Sequence, residues 1–220
     1  MSSPLFLSLW EFIIYNILKL LMLEKDIPDY NIFMICETLN KKAFREDLPK
    51  GYHFRNCREN EFEIWKKFPF DNEDLAKEYD AFMEDYFDKN YKSKKDLFFE
   101  RCTFICNEKD EPISTGFIWK HYDKYTTVNW LKTLKNYEGN GLGRALLTYI
   151  LKKVDKKDYP IYLHTQPGSF RAIKLYSDFG FKLIKSPKII DNRKNEIEES
   201  LPILKEFIPK KDYNNLKLYK

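Results

Sequence analysis

The chain has 220 residues, 43% of them hydrophobic and 17% aromatic, which suits one domain of ordinary size with a real core and excludes a disordered or fibrous protein. Its 38 basic and 34 acidic residues leave a net charge of +4 without a long basic run, so nucleic acid is not an expected partner. Cys36, Cys57, Cys102 and Cys106 make neither a secreted disulfide framework nor a CxxC pair with histidines at ligand spacing; they read as reduced core thiols of a cytoplasmic protein, with no metal site.

In chain order, residues 5–23 (LFLSLWEFIIYNILKLLML) are nearly long enough to span a bilayer, but Glu11, Asn16 and Lys19 interrupt the run. On a helix Ser8, Glu11, Tyr15 and Lys19 line one polar stripe, so an amphipathic helix docked on the domain is expected, ahead of an interfacial membrane helix or a start at Met22. A signal peptide is disfavoured, because MSSP puts no basic residue before the apolar run and no small-residue cleavage site follows it. After a charged connection and a segment of undecided type, NIFMICETLNKKAF, the stretch GYHFRNC reads as a strand. EFEIWKKF places Phe62, Trp65 and Phe68 at helical spacing behind a capping Asn60, and DNEDLAKEYDAFMEDYF reads as a second helix with Leu75, Tyr79, Phe82 and Tyr86 down one face. LFFERCTFICNE and PISTGFIWKHY read as a hairpin of two strands, which would put Cys102 and Cys106 on one side of a sheet. TTVNWLKTL is a third strand. A helix over 144–154, a strand IYLHTQ, a helix over 170–178, a strand FKLIK and a helical tail ending at Pro209 complete the order, which predicts an α/β (α+β) chain with a mixed sheet and helices on its faces.

Two motifs carry chemistry. The first, EGNGLGRA at 138–145, joins a strand to a helix with three glycines in five residues. Such a turn presents backbone N–H groups at the positive end of a helix dipole, and glycine lets an anion approach where a Cβ would collide; a tight turn with no ligand is the alternative. The spacing excludes GxxxxGK followed by Ser or Thr, and also the dinucleotide fingerprint. The second, SFRAIKLYSDFGF at 169–181, sets Ala172, Leu175, Tyr176 and Phe179 on one helical face and ends at Gly180.

In this order, the pair resembles the GCN5-related N-acetyltransferase (GNAT) family, whose loop runs Gln or Arg, two residues, Gly, one residue, Gly or Ala, and whose next helix reads NxxAxxLYxxxGF. The similarity covers roughly 52–184 and departs from the pattern at Glu138 and Ser169. It implies a mostly antiparallel central sheet flanked by helices, an acyl-CoA N-acyltransferase fold, and acetyl-CoA as co-substrate. Its pyrophosphate would rest on the amides of Glu138, Gly139, Asn140, Gly141, Leu142, Gly143 and Arg144, its pantetheine arm on the free edge of the strand at Leu131 and Thr133, and Ser169 and Ala172 would border it. Tyr176 would be the acid for the leaving sulfur. For the base, His164 on IYLHTQ is the leading candidate by reference pKa, with Glu100, Asn129 and Asp123 behind it; His53 and His121 receive no role. Asp80, Glu84 and Asp85 would attract a cationic amine if they bordered the acceptor pocket.

The expected organisation is an N-terminal helix and connection over 1–50, an acetyltransferase domain over 51–185 and a C-terminal helical extension over 186–220. The expected function is transfer of an acetyl group from acetyl-CoA to a primary amine of a small molecule, peptide or protein in a ternary complex; a non-catalytic acyl-CoA-binding regulatory domain is the alternative. Membrane association through 5–23 is the less favoured arrangement, and a homodimer stays open.

Overall fold

A computed structural model describes residues 27–187 and 193–219; the helix expected over 5–23 lies outside them. The strands are β1 (Ile32–Cys36), β2 (His53–Asn56), β3 (Thr103–Cys106), β4 (Pro112–His121), β5 (Tyr125–Thr133), β6 (Ile161–Thr165), β7 (Lys182–Ile184) and β8 (Leu218–Tyr219). They form one eight-stranded sheet in the order β2-β3-β4-β5-β6-β1-β7-β8, antiparallel except at β5–β6 and β7–β8. This is the mixed, mostly antiparallel sheet that the sequence predicts.

Helices α1 (Phe62–Lys67), α2 (Glu73–Glu78), α3 (Asp80–Asn90) and α4 (Lys95–Arg101) lie between β2 and β3 in the chain. Their rings pack with Phe104, Phe117 and Trp119 in an aromatic layer on one face of the sheet. On the opposite face α5 (Leu142–Leu151), α6 (Phe170–Asp178) and α7 (Ile197–Phe207) build the larger aliphatic core with Ile32, Met34, Ile161 and Leu163. A short α8 (Lys210–Tyr213) leads to β8.

The structure decides the segment left open around NIFMIC. Every residue of β1 is buried, because β6 and β7 flank it and both sheet faces above it are covered. A strand buried on both sides loses the alternation that would reveal it.

Two expectations are corrected. The first half of LFFERCTFICNE is helix α4 rather than strand, and Cys102 closes it by donating its N–H to the Phe98 carbonyl (2.7 Å). Cys102 and Cys106 therefore do not share a strand, although both are buried in the aromatic layer. The helix expected over 71–87 breaks at Tyr79 (φ −96°, ψ 8°), and the buried stripe is Ala76, Met83 and Phe87. Leu75, Tyr79 and Phe82 are 41%, 43% and 53% exposed. A segment with aromatic or apolar residues on two stripes fits either, and the break selects the second.

Candidate active site

β5 and β6 pair only at Thr126 with Ile161 and Thr127 with Tyr162, so the β6-facing edge of β5 beyond Thr127 has no partner strand among the described residues. A bulge accompanies the opening. Between the pairs Thr115–Lys132 and Phe117–Asn129, Trp130 and Leu131 together oppose Gly116, and a bulge bends its strand. A Cβ at Gly116 would stand 2.8 Å from Leu131 Cδ1 and 3.4 Å from Leu131 Cα, so any side chain there would make the Leu131 side chain shift. Trp130 takes the left-handed φ of 50° and is held by its surroundings: its Nε1 donates to the Tyr91 hydroxyl (3.1 Å), and its ring meets the edge of Tyr86 at 5.3 Å.

The glycine loop enters α5 beside this opening. Gly139 and Gly141 have φ of 80° and 78°, and no atom lies within 4 Å of where a Cβ on either would be. Among the described residues, no acceptor meets the backbone N–H groups of 139–144; the first satisfied amide is that of Ala145, which bonds the Gly141 carbonyl at 3.0 Å. Gly141 stands at the N-cap and brings no side-chain cap, so the donors at the positive end of the helix remain available. A Cβ on Gly143 would lie 3.7 Å from Thr133 Oγ1 and 3.8 Å from Leu175 Cδ2, so loop, free strand edge and α6 meet at one place. Thr133 Oγ1 is in turn 2.8 Å from Ser114 Oγ. Leu131 and Thr133 are half-buried, and Leu142 is buried as the anchor of the loop.

Side chains stay out of the cradle. Glu138 is exposed without an ion pair among the described residues, and Asn140 turns its Nδ2 back to the carbonyls of Tyr137 (3.2 Å) and Glu138 (3.4 Å). The Arg144 guanidinium pairs with Asp178 (2.5 Å) and donates to the Ala43 carbonyl (3.2 Å), so its amide is what it offers the loop. A surface cavity of about 330 Å³ beside it is lined by Asn40, Lys42, Ala43, Arg45, Arg144 and Asp178.

On α6, Tyr176 is buried against Phe181 (ring centroids 5.9 Å) and has no hydrogen-bond partner among the described residues. Burial pushes its pKa well above the usual phenol value. Ala172 is half-buried, and Ser169 occupies the N-cap position with its hydroxyl making no cap bond.

His164 belongs to a network that has no local signature in the sequence. Its Nε2 meets Asn31 Oδ1 at 2.8 Å; Asn31 donates from Nδ2 (3.1 Å) and from its backbone N (3.0 Å) to the Glu196 carboxylate. Because a carboxylate only accepts, the Asn31 amide has one orientation, and its Oδ1 must receive a proton from His164. The imidazole is thus fixed as the Nε2–H tautomer, with the Nδ1 lone pair free. Desolvation, with a contribution from the nearby positive charge of Arg193, lowers its pKa to about 4, so it is neutral at working pH. Asn31 precedes β1 and Glu196 precedes α7, far apart in the chain, and no local pattern joins them to β6.

The lesser candidates sit elsewhere. Asn129 is buried, accepting at Oδ1 from the Tyr91 hydroxyl (3.2 Å) and facing His121 Nε2 (3.1 Å). Asp123 is exposed and paired with Lys94, and Glu100 is exposed. Asp80 and Glu84 both pair with the buried Lys66, and Asp85 with Lys89, so their charge is largely met within the helical layer. His53, Cys106 and Asp110 come together at the β2–β3 edge, but Asp110 already receives Arg55 and Arg58 at 2.7 Å each, which puts two guanidinium charges where a cation would have to sit. Among the described residues no helix is long and apolar enough to cross a membrane.

A family model described as Acetyltransferase (GNAT) family matches residues 62–181. No curated protein matches the chain. Among solved structures it is similar to a GCN5-related N-acetyltransferase from Sphaerobacter thermophilus (11% identity, TM-score 0.44, covering 67% of this chain and 46% of that one). It is also similar to an acetyltransferase from the GNAT family from Colwellia psychrerythraea (13%, 0.46, 71% and 53%) and to a putative acetyltransferase of that family from Novosphingobium aromaticivorans (14%, 0.45, 71% and 60%). The chain thus spans 46 to 60% of the length of these structures.

Proposed function

Because the chain belongs to the acetyltransferase (GNAT) family, we propose that it moves the acetyl group of acetyl-CoA onto a primary amine of a small molecule, peptide or protein, by direct transfer while both substrates are bound. The observation that carries this reading is the run of amides over 139–144 at the head of α5 that meet no acceptor among the described residues, with open space beside Gly139 and Gly141. A pyrophosphate suits these donors. Each of its charges gains on the order of 0.3–1 kcal/mol from the dipole beyond its hydrogen bonds. Lys42 and Arg45 in the neighbouring cavity add positive charge for the remaining phosphate.

Along the free edge of β5, the main chain at Leu131 and Thr133 bonds the pantetheine amides, while Ser169 and Ala172 border the arm. The acceptor's ammonium first loses a proton to solvent, because an imidazole whose pKa is lowered to about 4 is too weak a base to take it. Its nitrogen lone pair then attacks the thioester carbonyl carbon, a backbone N–H near Thr133 stabilises the oxygen, the C–S bond breaks as Tyr176 donates to the sulfur, and the nitrogen, made acidic as it becomes an amide, gives its extra proton to the His164 Nδ1, from which it returns to Tyr176 through water. Burial raises the Tyr176 pKa, but a thiolate formed in the same dry site is raised too, so the small gap between phenol and thiol is kept.

Thermal melting tests this. Acetyl-CoA at 100 times its Kd should raise the Tm by roughly 5–10 °C. Gly143→Val, which needs no left-handed backbone, should fill the space beside Thr133 and Leu175 and remove that rise while leaving the unliganded Tm close to wild type. An equal shift in both proteins would dismiss the site. A full shift without acetylation of any amine would instead favour an acyl-CoA-binding regulatory domain.

A further inference from the structure

Beside the opening, β6 pairs on its far side with β1. On β1, Phe33 stands opposite His164 of β6, and their rings lie 4.9 Å apart. The guanidinium carbon of Arg193 also lies over the Phe33 ring, 4.9 Å from its centroid. The chain is pinned immediately after this arginine. Buried Asn195 donates from Nδ2 to the carbonyls of Ile184 (2.7 Å) and Ser186 (2.8 Å), and the Glu196 N–H bonds the Asn31 carbonyl (2.8 Å).

Arg193 forms no ion pair among the described residues. Its acidic neighbour in sequence, Glu196, is taken by Asn31 and by Lys194 (2.7 Å). Its charge is nonetheless felt on both lips of the opening, at His164 on β6, at His121 where β4 ends and at Tyr86 on α3. Both imidazoles have pKa values lowered chiefly by desolvation, so neither competes with Arg193 as a cation. A positive charge backed by an aromatic ring, near neutral rings and without a paired carboxylate among the described residues, is a receptor for an anion.

Resting on the acetyltransferase reading, we propose that the acceptor is an amine that also carries an acidic oxyanion, a carboxylate or phosphate, and that Arg193 recognises that group while the amine faces His164. Acceptors with additional positive charges are disfavoured by the same guanidinium. The pairing is bidentate, so charge alone does not replace it.

The test measures kcat/KM with acetyl-CoA for matched acceptors: α-amino acids against the amines left by their decarboxylation, and phosphoethanolamine against ethanolamine. The wild type should favour the acid-bearing member by on the order of 10- to 100-fold. Arg193→Gln should erase that preference without changing the acetyl-CoA-induced rise in Tm, and Arg193→Lys should restore it in part. If the acid-bearing member of no pair is acetylated faster than its counterpart, or if Arg193→Gln slows both members by the same factor, the proposal is wrong. Lack of a cofactor response in the wild type would overturn the acetyltransferase reading itself; a full response without charge discrimination would overturn only the role of Arg193.

Discussion

The aromatic layer over β2–β5 and the opening between β5 and β6 share one sheet and follow opposite rules. In the layer, Trp65 has ring centroids of Phe62, Phe87, Tyr91, Phe98 and Trp130 within 6.1 Å, and the Tyr91 hydroxyl is bonded on both sides. At the opening, the amides of 139–144 and the β5 edge beyond Thr127 have no partner among the described residues. The contrast teaches where to look for function: the layer leaves the Trp65 Nε1 unsatisfied as a single stray donor, whereas the loop at the head of α5 leaves a consecutive run of amides for another molecule to satisfy.

Mutations can break or sharpen that contrast. The largest effect belongs to the layer: Trp65→Ala should cost about 3–5 kcal/mol in chemical denaturation, with the acetyl-CoA response intact in the folded fraction. Trp65→Phe should cost less than half of that, because the Trp65 Nε1 has no hydrogen-bond partner and its loss removes an unsatisfied donor. A comparable stability loss from Gly143→Val would erase the distinction between the two regions. At the opening, Tyr176→Phe should lower kcat by roughly 100-fold with cofactor binding unchanged; an unaltered kcat removes the phenol from the reaction. Asn31→Ala should lower kcat by about 10-fold, as expected for loss of an outer hydrogen bond that orients an imidazole, and should shift the His164 ring nitrogens in 15N spectra toward a mixture of tautomers. Identical spectra would mean that Asn31 does not set the proton.

The smallest effect is on stability against pH. The folded pKa of His164, about 4, lies below the ordinary value of roughly 6.5, so between the two the unfolded chain binds a proton that the folded chain does not. Stability from this group is complete above the upper value and falls as the pH drops toward the lower. His164→Gln should therefore lose less stability than wild type between pH 7 and pH 5 in urea titrations; parallel curves would contradict the lowered pKa of that ring.

What could be read from the sequence follows from distance along the chain. The glycine loop was legible because its chemistry is main-chain chemistry written in consecutive residues, and Tyr176 because it keeps register with Ala172 and Gly180 inside one helix. β1 was not, since IFMIC is buried on both faces and carries no alternation. Residues 95–101 were misjudged because a bulky apolar pair such as Phe98 and Phe99 fits a strand or a helix equally, and only the packing against Trp65 and Phe117 selects the helix. The Glu196, Asn31 and His164 network was out of reach: its members are 165 and 133 positions apart, and only the sheet order brings them together.

The place of β1 also matters during synthesis. It leaves the ribosome long before its neighbours, for Ile32 awaits Thr165 and Met34 awaits Leu183. Until then IFMIC is an unpaired, uncharged apolar strand of the kind that seeks edges on other chains. Cooperative folding must wait for nearly the whole polypeptide, so translation pauses late in the message and chaperone supply, more than the strength of the finished core, would govern the yield of active molecules.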